Sequence, residues 1–378
     1  MRGSQLLKTL TGTALLTCGG YYMINKMMND YQWNLHSDVF DNHQQLTPSW
    51  MPLMQAEEKK FKAPQSGVIT GNYAQMAIIT IKLKDSFAHK EYAKVLKAVG
   101  EVPQIISRLS NGDAPNEDED ELPPVMASVG LSTRFWSQLS LKDPKAFRKP
   151  DGYTADFDTK KGEFGSMPFK ESEIVLHVKA KSTSLCYETI QEFVNSLPKD
   201  SIENVQEHYG FMYQDSRDLT KFIDGIVNPS GVEDRQEAAL NHSGGSFLLH
   251  QKWVHHHNPD SKYTLKQQEE FVGRERAYGA ELSSLPPTSH VARMRRPNGE
   301  IIPILRQSFP FGTVTGDHGL LFISYSSNTE KYETLLNAMV GKVHGKHNDA
   351  IMKFSKCEYS NYYYVPSLEE LEIIKSKY

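Results

Sequence analysis

One order of elements occurs twice along this chain, and that duplication limits the fold more than any single motif does. YAQMAIITIKL (Tyr73–Leu83) is the first strongly apolar stretch and reads as a strand. HKEYAKVLKAVGEVPQIISRLS follows with apolar residues at helical spacing, bent or broken at Pro103. VMASVGLS and SEIVLHVKAKS (Ser172–Ser182) are strand-like, with a turn-rich stretch between them, and TSLCYETIQEFVNSLP is an amphipathic helix ending at Pro198. The order is strand, helix, strand, strand, helix. A second series resembles it: VQEHYGFMYQD, GGSFLLHQKWVHHH, TLKQQEEFVGR, IPILRQSFPFG, GLLFISYSS and the helix TEKYETLLNAMVGKVHG. Two units of like order predict a duplicated α+β sandwich, each half an antiparallel sheet with helices on one face. The change of half is expected near Lys199–Glu203, which gives a first half over 64–203 and a second over 204–378.

At 378 residues the chain suits two to three domains, and 39% hydrophobic with 23% charged residues describes a globular protein with ample core. A net charge of -4 implies no large basic surface and no nucleic-acid partner. Cys18, Cys186 and Cys357 lie far apart with no Cys-x-x-Cys pair, which fits neither a disulfide framework nor a zinc site and favours a reducing compartment. Residues 1–63 read as an extension. MRGSQLLKTLTGTALLTCGGYYMINKMM holds Arg2, Lys8 and Lys26 but no acid before Asp30, and its apolar run is short and interrupted by Gly and Thr. That pattern suits a mitochondrial presequence, a weak membrane anchor or a plain tail in a cytoplasmic protein. NGDAPNEDEDELPP (Asn111–Pro124), with six acids in fourteen residues, reads as a solvated loop ahead of any docking or metal role.

Few residues stand out as chemistry. FIDGIVNPSG (Phe222–Gly231) sets Asp224 between an apolar pair and a Gly- and Pro-containing turn, and Asp-Gly followed by Asn-Pro is also ordinary turn composition. His255, His256 and His257 invite a metal reading, but adjacent strand residues face opposite ways and cannot all converge on one ion. The tail YSNYYYVPSLEEL reads as packing. His290, in SHVARMRR, precedes a basic stretch, and a lone His is more often structural than functional. Arg306 sits inside the apolar strand ILRQSFPFG, and an Arg placed there asks for an anion, since its charge is not removed by a modest pKa shift.

With these residues in place, DSRDLTKFIDGIVNP resembles the Gly-Phe-x-Asp-Gly-x-x-Asn-Pro segment of the dye-decolorizing peroxidases, which bind haem b. PQSGVI and AIITIKL look like that family's first strand, and IVLHVKAKSTSLCYE like its Leu-His-Ile segment ahead of a helix. GGSFLLHQKW, EEFVGR, SYSSNTEKYETLLNAMVG and YYYVPSLEEL are similar to later family segments, in order, so the resemblance runs from about Ser66 to Leu371. It implies duplicated ferredoxin-like halves with haem b in the second half. It further implies His290 as proximal iron ligand, Asp224 as distal acid, Arg306 as distal Arg and Asp349 as the acid that takes a proton from the proximal His. Ile226 and Val227 would lie against the haem face. Two positions depart from the pattern. Lys221 stands where the family has a Gly able to take positive φ, and Ser308 stands where an Asn is frequent, removing an amide from the distal pocket.

The implied activity is a haem peroxidase that uses hydrogen peroxide to oxidise an organic donor, with a homo-oligomer compatible with the family. Peroxide must lose a proton from one oxygen and gain one at the other as its O–O bond breaks. A carboxylate at 224 can move that proton, and Arg306 can stabilise charge on the departing oxygen. A carboxylate stays ionised at lower pH than a distal His would, so activity is expected to favour acid. Two other readings share the fold: a haem carrier or iron-releasing protein with incidental turnover, which also needs His290, and a non-catalytic relative, to which Lys221 and Ser308 point.

Overall fold

Side chains on opposite faces of one strand enter two different cores. In strand β1 (Gln75–Leu83), Ala77, Ile79 and Ile81 join a large cluster with the helices, while Met76 and Ile78 join a second cluster on the other face. Successive strand residues alternate in direction, so a strand apolar on both faces has to be covered on both. The computed structural model describes residues 61–378 apart from 72, 86–88, 111–121, 257–261 and 344. Most of the N-terminal extension, most of the acidic loop and His257 lie outside the described residues. No helix among the described residues is long and apolar enough to cross a membrane.

The remaining strands of the main sheet are β2 (Val125–Ser132), β3 (Ile174–Ala180), β4 (Ile202–Phe211), β5 (Ser246–His255), β6 (Leu305–Arg306), β7 (Phe309–Gly312), β8 (His318–Ser326) and β9 (Ser355–Val365). The helices are α1 (Ser66–Ile69), α2 (His89–Gly100), α3 (Val102–Ser110), α4 (Thr133–Lys142), α5 (Thr183–Ser196), α6 (Val232–Ala239), α7 (Leu265–Val272), α8 (His290–Arg293), α9 (Thr329–Met339) and α10 (Leu368–Lys377). The expected break in the first helical stretch falls between α2 and α3, with Pro103 in the first turn of α3, where its missing N–H costs nothing.

The sheet runs β5-β9-β2-β3-β1-β4-β7-β8-β6, and β5 also pairs with β8, so every strand but β6 belongs to a closed antiparallel ring. Within the ring the first half contributes β2-β3-β1-β4 and the second β7-β8-β5-β9, the same order of corresponding strands. This is the expected duplication of a ferredoxin-like unit. Strand β4 corrects the expected boundary. It pairs with β1 from Gln75↔Phe211 to Leu83↔Ile202 and closes the first unit, so the halves change after Phe211 and not at Lys199–Glu203. The repeated unit ends on a strand, and the first copy's last strand reads in the sequence like the opening of the second.

The halves meet at two short seams. One is Gly210↔Phe311, where a Cβ on Gly210 would stand 2.9 Å from the Phe309 Cβ, too close for any other residue without a shift. The other joins β2 to β9 through Ser132↔Tyr363 and Leu131↔Tyr364 and cannot extend past Pro366, which has no N–H to give. Gln65 takes over there. Its Oε1 accepts from the Val129 N–H at 2.8 Å, and its Nε2 donates to the Val129 and Pro366 carbonyls at 2.9 and 2.8 Å. The buried amide thus substitutes for the missing strand partner. Gln65→Ala should cost roughly 2–4 kcal/mol, because it leaves these backbone groups buried and unpaired. A denaturant midpoint unchanged from the parent would show that the seam holds without it.

The ring's inner face carries a polar group among its apolar residues. His177 Nδ1 lies 2.7 Å from the Tyr325 hydroxyl, which lies 2.5 Å from the Ser128 hydroxyl, and His250 Nε2 lies 3.2 Å from the Tyr359 hydroxyl. Burial pushes the His250 pKa down to about 3 and that of His208 to about 4, with neighbouring His208 and Lys252 adding to the effect respectively. Burial also holds His177 well below its ordinary value. These imidazoles are neutral in the folded protein, whereas unfolded ones protonate near about pH 6.5. Below that pH the unfolded chain binds more protons, so stability is full above it and is lost as pH falls towards about 4 and then about 3. Denaturant midpoints measured across this window should fall steeply. His208→Phe should flatten the fall, since the imidazole Nε2 has no partner among the described residues; an unaltered slope would place the titrating groups elsewhere.

Candidate active site

In the second half, the layer between sheet and helices opens into a cavity where the first half packs apolar side chains. About 1360 Å³ of empty space, including the open mouth, lies between the outer face of β5 and β8, helix α9, and the loops at 218–227 and 290–304. Alternation along β5 places Leu249, Gln251, Trp253 and His255 on its floor, and Phe322 and Leu335 add to a mostly apolar lining.

One loop after β4 carries the acid. Lys221 N–H donates to the Asp218 carbonyl at 2.7 Å, Asp218 N–H to the Phe222 carbonyl at 2.9 Å, and Asp224 N–H to the Ser216 carbonyl at 3.0 Å. These bonds fold the chain back tightly enough to put Gln214, Ser216 and Lys221 at φ 48, 64 and 71, with Gly225 at 82. Arg217 fastens the loop by donating to the carbonyls of Lys221, Arg276 and Ala277 at 2.7, 2.7 and 3.0 Å. Asp224 emerges at the cavity wall.

Arg306 reaches the same cavity from β6, where it pairs with Ser324 of β8. Its Nε is buried without a hydrogen bond, and its guanidinium has no ion pair among the described residues. His290 opens helix α8 behind the cap residue Ser289. Its Nδ1 lies 2.7 Å from Oδ2 of Asp349, which is fully buried and also accepts from the Ile351 N–H at 3.0 Å. That leaves the imidazole Nε2 for the cavity. Arg293 is buried nearby; burial lowers its pKa and the Asp349 charge works against that.

A second buried pair marks the cavity's polar end. His255 Nε2 lies 3.0 Å from Asp218 Oδ1, and Nδ1 lies 2.8 Å from the Ser355 hydroxyl. Burial alone would raise the Asp218 pKa, but the His255 charge and hydrogen bond, with two bonds from Thr220, outweigh it and hold the carboxyl at about 2. Asp218 therefore fixes the loop that carries Asp224 to the sheet. A neighbouring cavity, about 960 Å³ with its open mouth, shares Asp218, Asp224, Arg306 and Leu320 with the first and is otherwise more polar.

Comparison with known proteins bears on this arrangement directly. Residues 65–212 match the model of the N-terminal part of the Dyp-type peroxidases, and residues 215–370 that of the C-terminal part. The chain belongs to the Dyp-type peroxidase family. The dye-decolorizing peroxidase of Rhodococcus erythropolis is 28% identical over 257 residues, covering 65% of this chain and 73% of that protein. That of Mycobacterium tuberculosis is 29% identical over 221 residues, covering 54% and 64%. Among solved structures, the dye-decolorizing protein from V. cholerae matches with TM-score 0.71 and 30% identity, covering 82% of this chain and 98% of its own. A variant of DypB from Rhodococcus jostii RHA1 in complex with heme matches with TM-score 0.70 and 25% identity, covering 82% and 99%. The chain is accordingly an enzyme of the peroxidase class, and the change between family models falls between 212 and 215, as the pairing of β4 requires.

Of the residues expected from the Dyp-type resemblance, Asp224, His290, Arg306 and Val227 line one cavity, and Asp349 stands behind His290. Ile226 is not in that wall. It is half-exposed beside Gly279, whereas Ile223, also next to Gly279, lines the cavity. Ser308 lines the neighbouring cavity, and its hydroxyl accepts from the Ile323 N–H at 3.4 Å, patching the ladder where β6 and β7 are interrupted. His255 faces the cavity while His256 is exposed. Nothing in the sequence singles out Asp218; period-two alternation of β5 sets His255 on the face of Trp253, and the acid it meets comes from a loop distant in the chain.

Lys221 adopts a left-handed backbone, at φ 71, the conformation that glycine takes most freely. That conformation costs an L-residue roughly 1–2 kcal/mol, against about 0.5–1 kcal/mol for the freedom glycine loses on folding. Lys221→Gly should therefore be neutral or stabilising by up to about 1 kcal/mol. Lys221→Val, branched at Cβ, should lose about 1 kcal/mol or more. Thermal melts decide it: a Val variant as stable as the parent would mean the turn is not held left-handed.

Proposed function

We propose that this chain is a haem b peroxidase in which His290 holds the iron and Asp224 with Arg306 handle peroxide. The observation that carries the reading is the convergence of Asp224, Arg306 and the Asp349-backed His290 on one large apolar cavity in which the Arg306 Nε has no partner. Haem would answer the apolar lining, and an anion bound with it the orphaned donor of Arg306. Half-exposed Val227 and Ile301 at the wall would be covered by the same group. Non-covalent haem b suits a sequence without a Cys-x-x-Cys-His attachment signal.

Haem, when bound, would supply iron redox chemistry able to use peroxide as oxidant, with His290 holding the iron and Asp224 and Arg306 facing the oxidant. The chain does the rest. Asp349 accepts the Nδ1 proton of His290, which fixes the ring and makes Nε2 a stronger donor. The Asp224 carboxylate takes the proton from the nearer peroxide oxygen and returns it to the farther one, where it leaves as water. Arg306 donates to that departing oxygen in a site already shaped for it. Asp224 and Arg306 also line the second, more polar cavity, through which a small polar oxidant would reach them without crossing the apolar one. An organic donor would deliver electrons at the haem edge.

His290→Ala should lose most haem, whereas Asp349→Asn should keep it and raise the iron reduction potential, since the imidazole loses its anionic partner. On the distal side, Asp224→Asn should slow the first reaction with peroxide by about 10²–10⁴ and Arg306→Leu by about 10²–10³, both with haem content unchanged. We expect the Arg variant to be at least as slow, since Ser308, held at the ladder by the Ile323 N–H, offers only a short neutral hydroxyl in place of a guanidinium. Stopped-flow spectra of the reconstituted protein measure all of this. Full haem retention in His290→Ala would refute the axial assignment, and a parent-like rate in Arg306→Leu would leave the acid acting alone.

A further inference from the structure

We infer that Asn228 is the positioning residue of the distal pair: its side-chain amide sets where Arg306 stands relative to Asp224. The inference rests on the reading of Arg306 as a distal group. Asn228 Oδ1 accepts from the Arg306 N–H at 2.8 Å, and Asn228 Nδ2 donates to the Arg306 carbonyl at 2.8 Å. Donor and acceptor of one residue, both engaged by one partner, is how an antiparallel strand holds its neighbour. Here a single amide does it.

The position of that amide in the fold explains why it is needed. β6 is two residues long, ends the sheet order and pairs only with β8, through Leu305↔Tyr325 and Arg306↔Ser324. Its other side has no strand, so Asn228 occupies the open edge. The Asn228 backbone is itself fixed in the Asp224 turn, with its N–H donating to the Gly225 carbonyl at 2.9 Å and Gly225 at φ 82. A short path of turn, amide and backbone therefore connects the carboxyl that would move the proton to the Arg that would stabilise the leaving oxygen. The Arg306 guanidinium makes no hydrogen bond or ion pair among the described residues. Its placement depends on where its backbone is held. An Asn serving only its own Asn-Pro turn would bond locally, whereas this one gives both side-chain groups to another segment.

The test uses the haem-loaded protein with Asn228→Ala, Asn228→Asp, Arg306→Leu and the Asn228→Ala/Arg306→Leu double variant. Three quantities are measured: the rate of the first reaction with peroxide, fluoride affinity of the ferric form as an equilibrium probe of the distal donor, and haem affinity. Asn228→Ala should slow the peroxide reaction by about ten-fold or more and weaken fluoride several-fold, with haem affinity kept. In the Arg306→Leu background the same change should add less than about two-fold, because its effect runs through Arg306. Asn228→Asp keeps the acceptor but sets a carboxylate against the Arg306 carbonyl. Protonation restores a donor, so its rate relative to the parent should recover as pH falls, which a merely destabilised loop would not do. Should the Ala variant fail to fold, the Asp variant carries the comparison alone.

Parent-like rates and fluoride affinity in the Asn228 variants, or equal losses with and without Arg306, would overturn the inference. If Arg306→Leu itself changes neither the rate nor fluoride affinity, the distal reading of Arg306 falls first. A slow Arg306→Leu beside parent-like Asn228 variants sinks only the role of Asn228.

Discussion

Closure of the strand ring is the constraint from which the site follows. Pairing β5 with both β8 and β9, and joining the halves at two short seams, closes the ring and leaves β6 outside it with one neighbour. A ring removes exposed edges and the cost of unpaired N–H and C=O groups. The edge strand β6 carries Arg306, and the loop covering its open side carries Asp224. Fold and chemistry thus meet at one place, where irregular backbone is tolerated because side chains such as Asn228 and Ser308 take the part of missing strand partners.

The same logic separates two kinds of histidine. Those on the inner face of the ring, His177, His208 and His250, are neutral because burial opposes charge, and at His208 the nearby Glu358 does not outweigh it. Those at the cavity each have a carboxylate: His290 has Asp349, and His255 has Asp218. The inner group stiffens a barrel core with hydroxyl partners. The cavity group is held in fixed orientation by its carboxylates, with both nitrogens of His255 engaged and one nitrogen of His290. Residue type alone does not distinguish the two classes; an acid brought close by a loop does.

Much of this was legible in sequence because it rests on local pattern. The duplicated order, the apolar strands and the helix broken near Pro103 follow from periodicity, and Asp224, His290 and Arg306 stood out as polar groups in apolar or turn surroundings. What was not legible depends on partners distant in the chain. β4 reads as a strand, but only its pairing with β1 assigns it to the first half. Ile223 and Ile226 are alike in composition, and the left-handed Lys221 and Gly225 on either side of Asp224 decide which faces the cavity. Gln65 and Asn228 resemble ordinary polar loop residues until the strand edges they occupy are known.

Two cavities sharing one wall resolve a conflict that a single pocket would leave. A site for a large apolar cofactor has to exclude water, yet its oxidant is a small polar molecule that has to arrive and lose a proton. Asp224 and Arg306 belong to both linings. On the proposed reading, the groups that admit peroxide are therefore those that act on it, and the apolar cavity need not open to solvent on that side. The left-handed residues of the 214–225 loop make this possible. A regular strand there would send alternate side chains to opposite faces, whereas the folded-back turn presents one acid to both spaces at once. Backbone strain of roughly 1–3 kcal/mol at each such residue persists only where surrounding bonds over-determine it, and here the Arg217 staples and the Asp218–His255 pair supply those bonds.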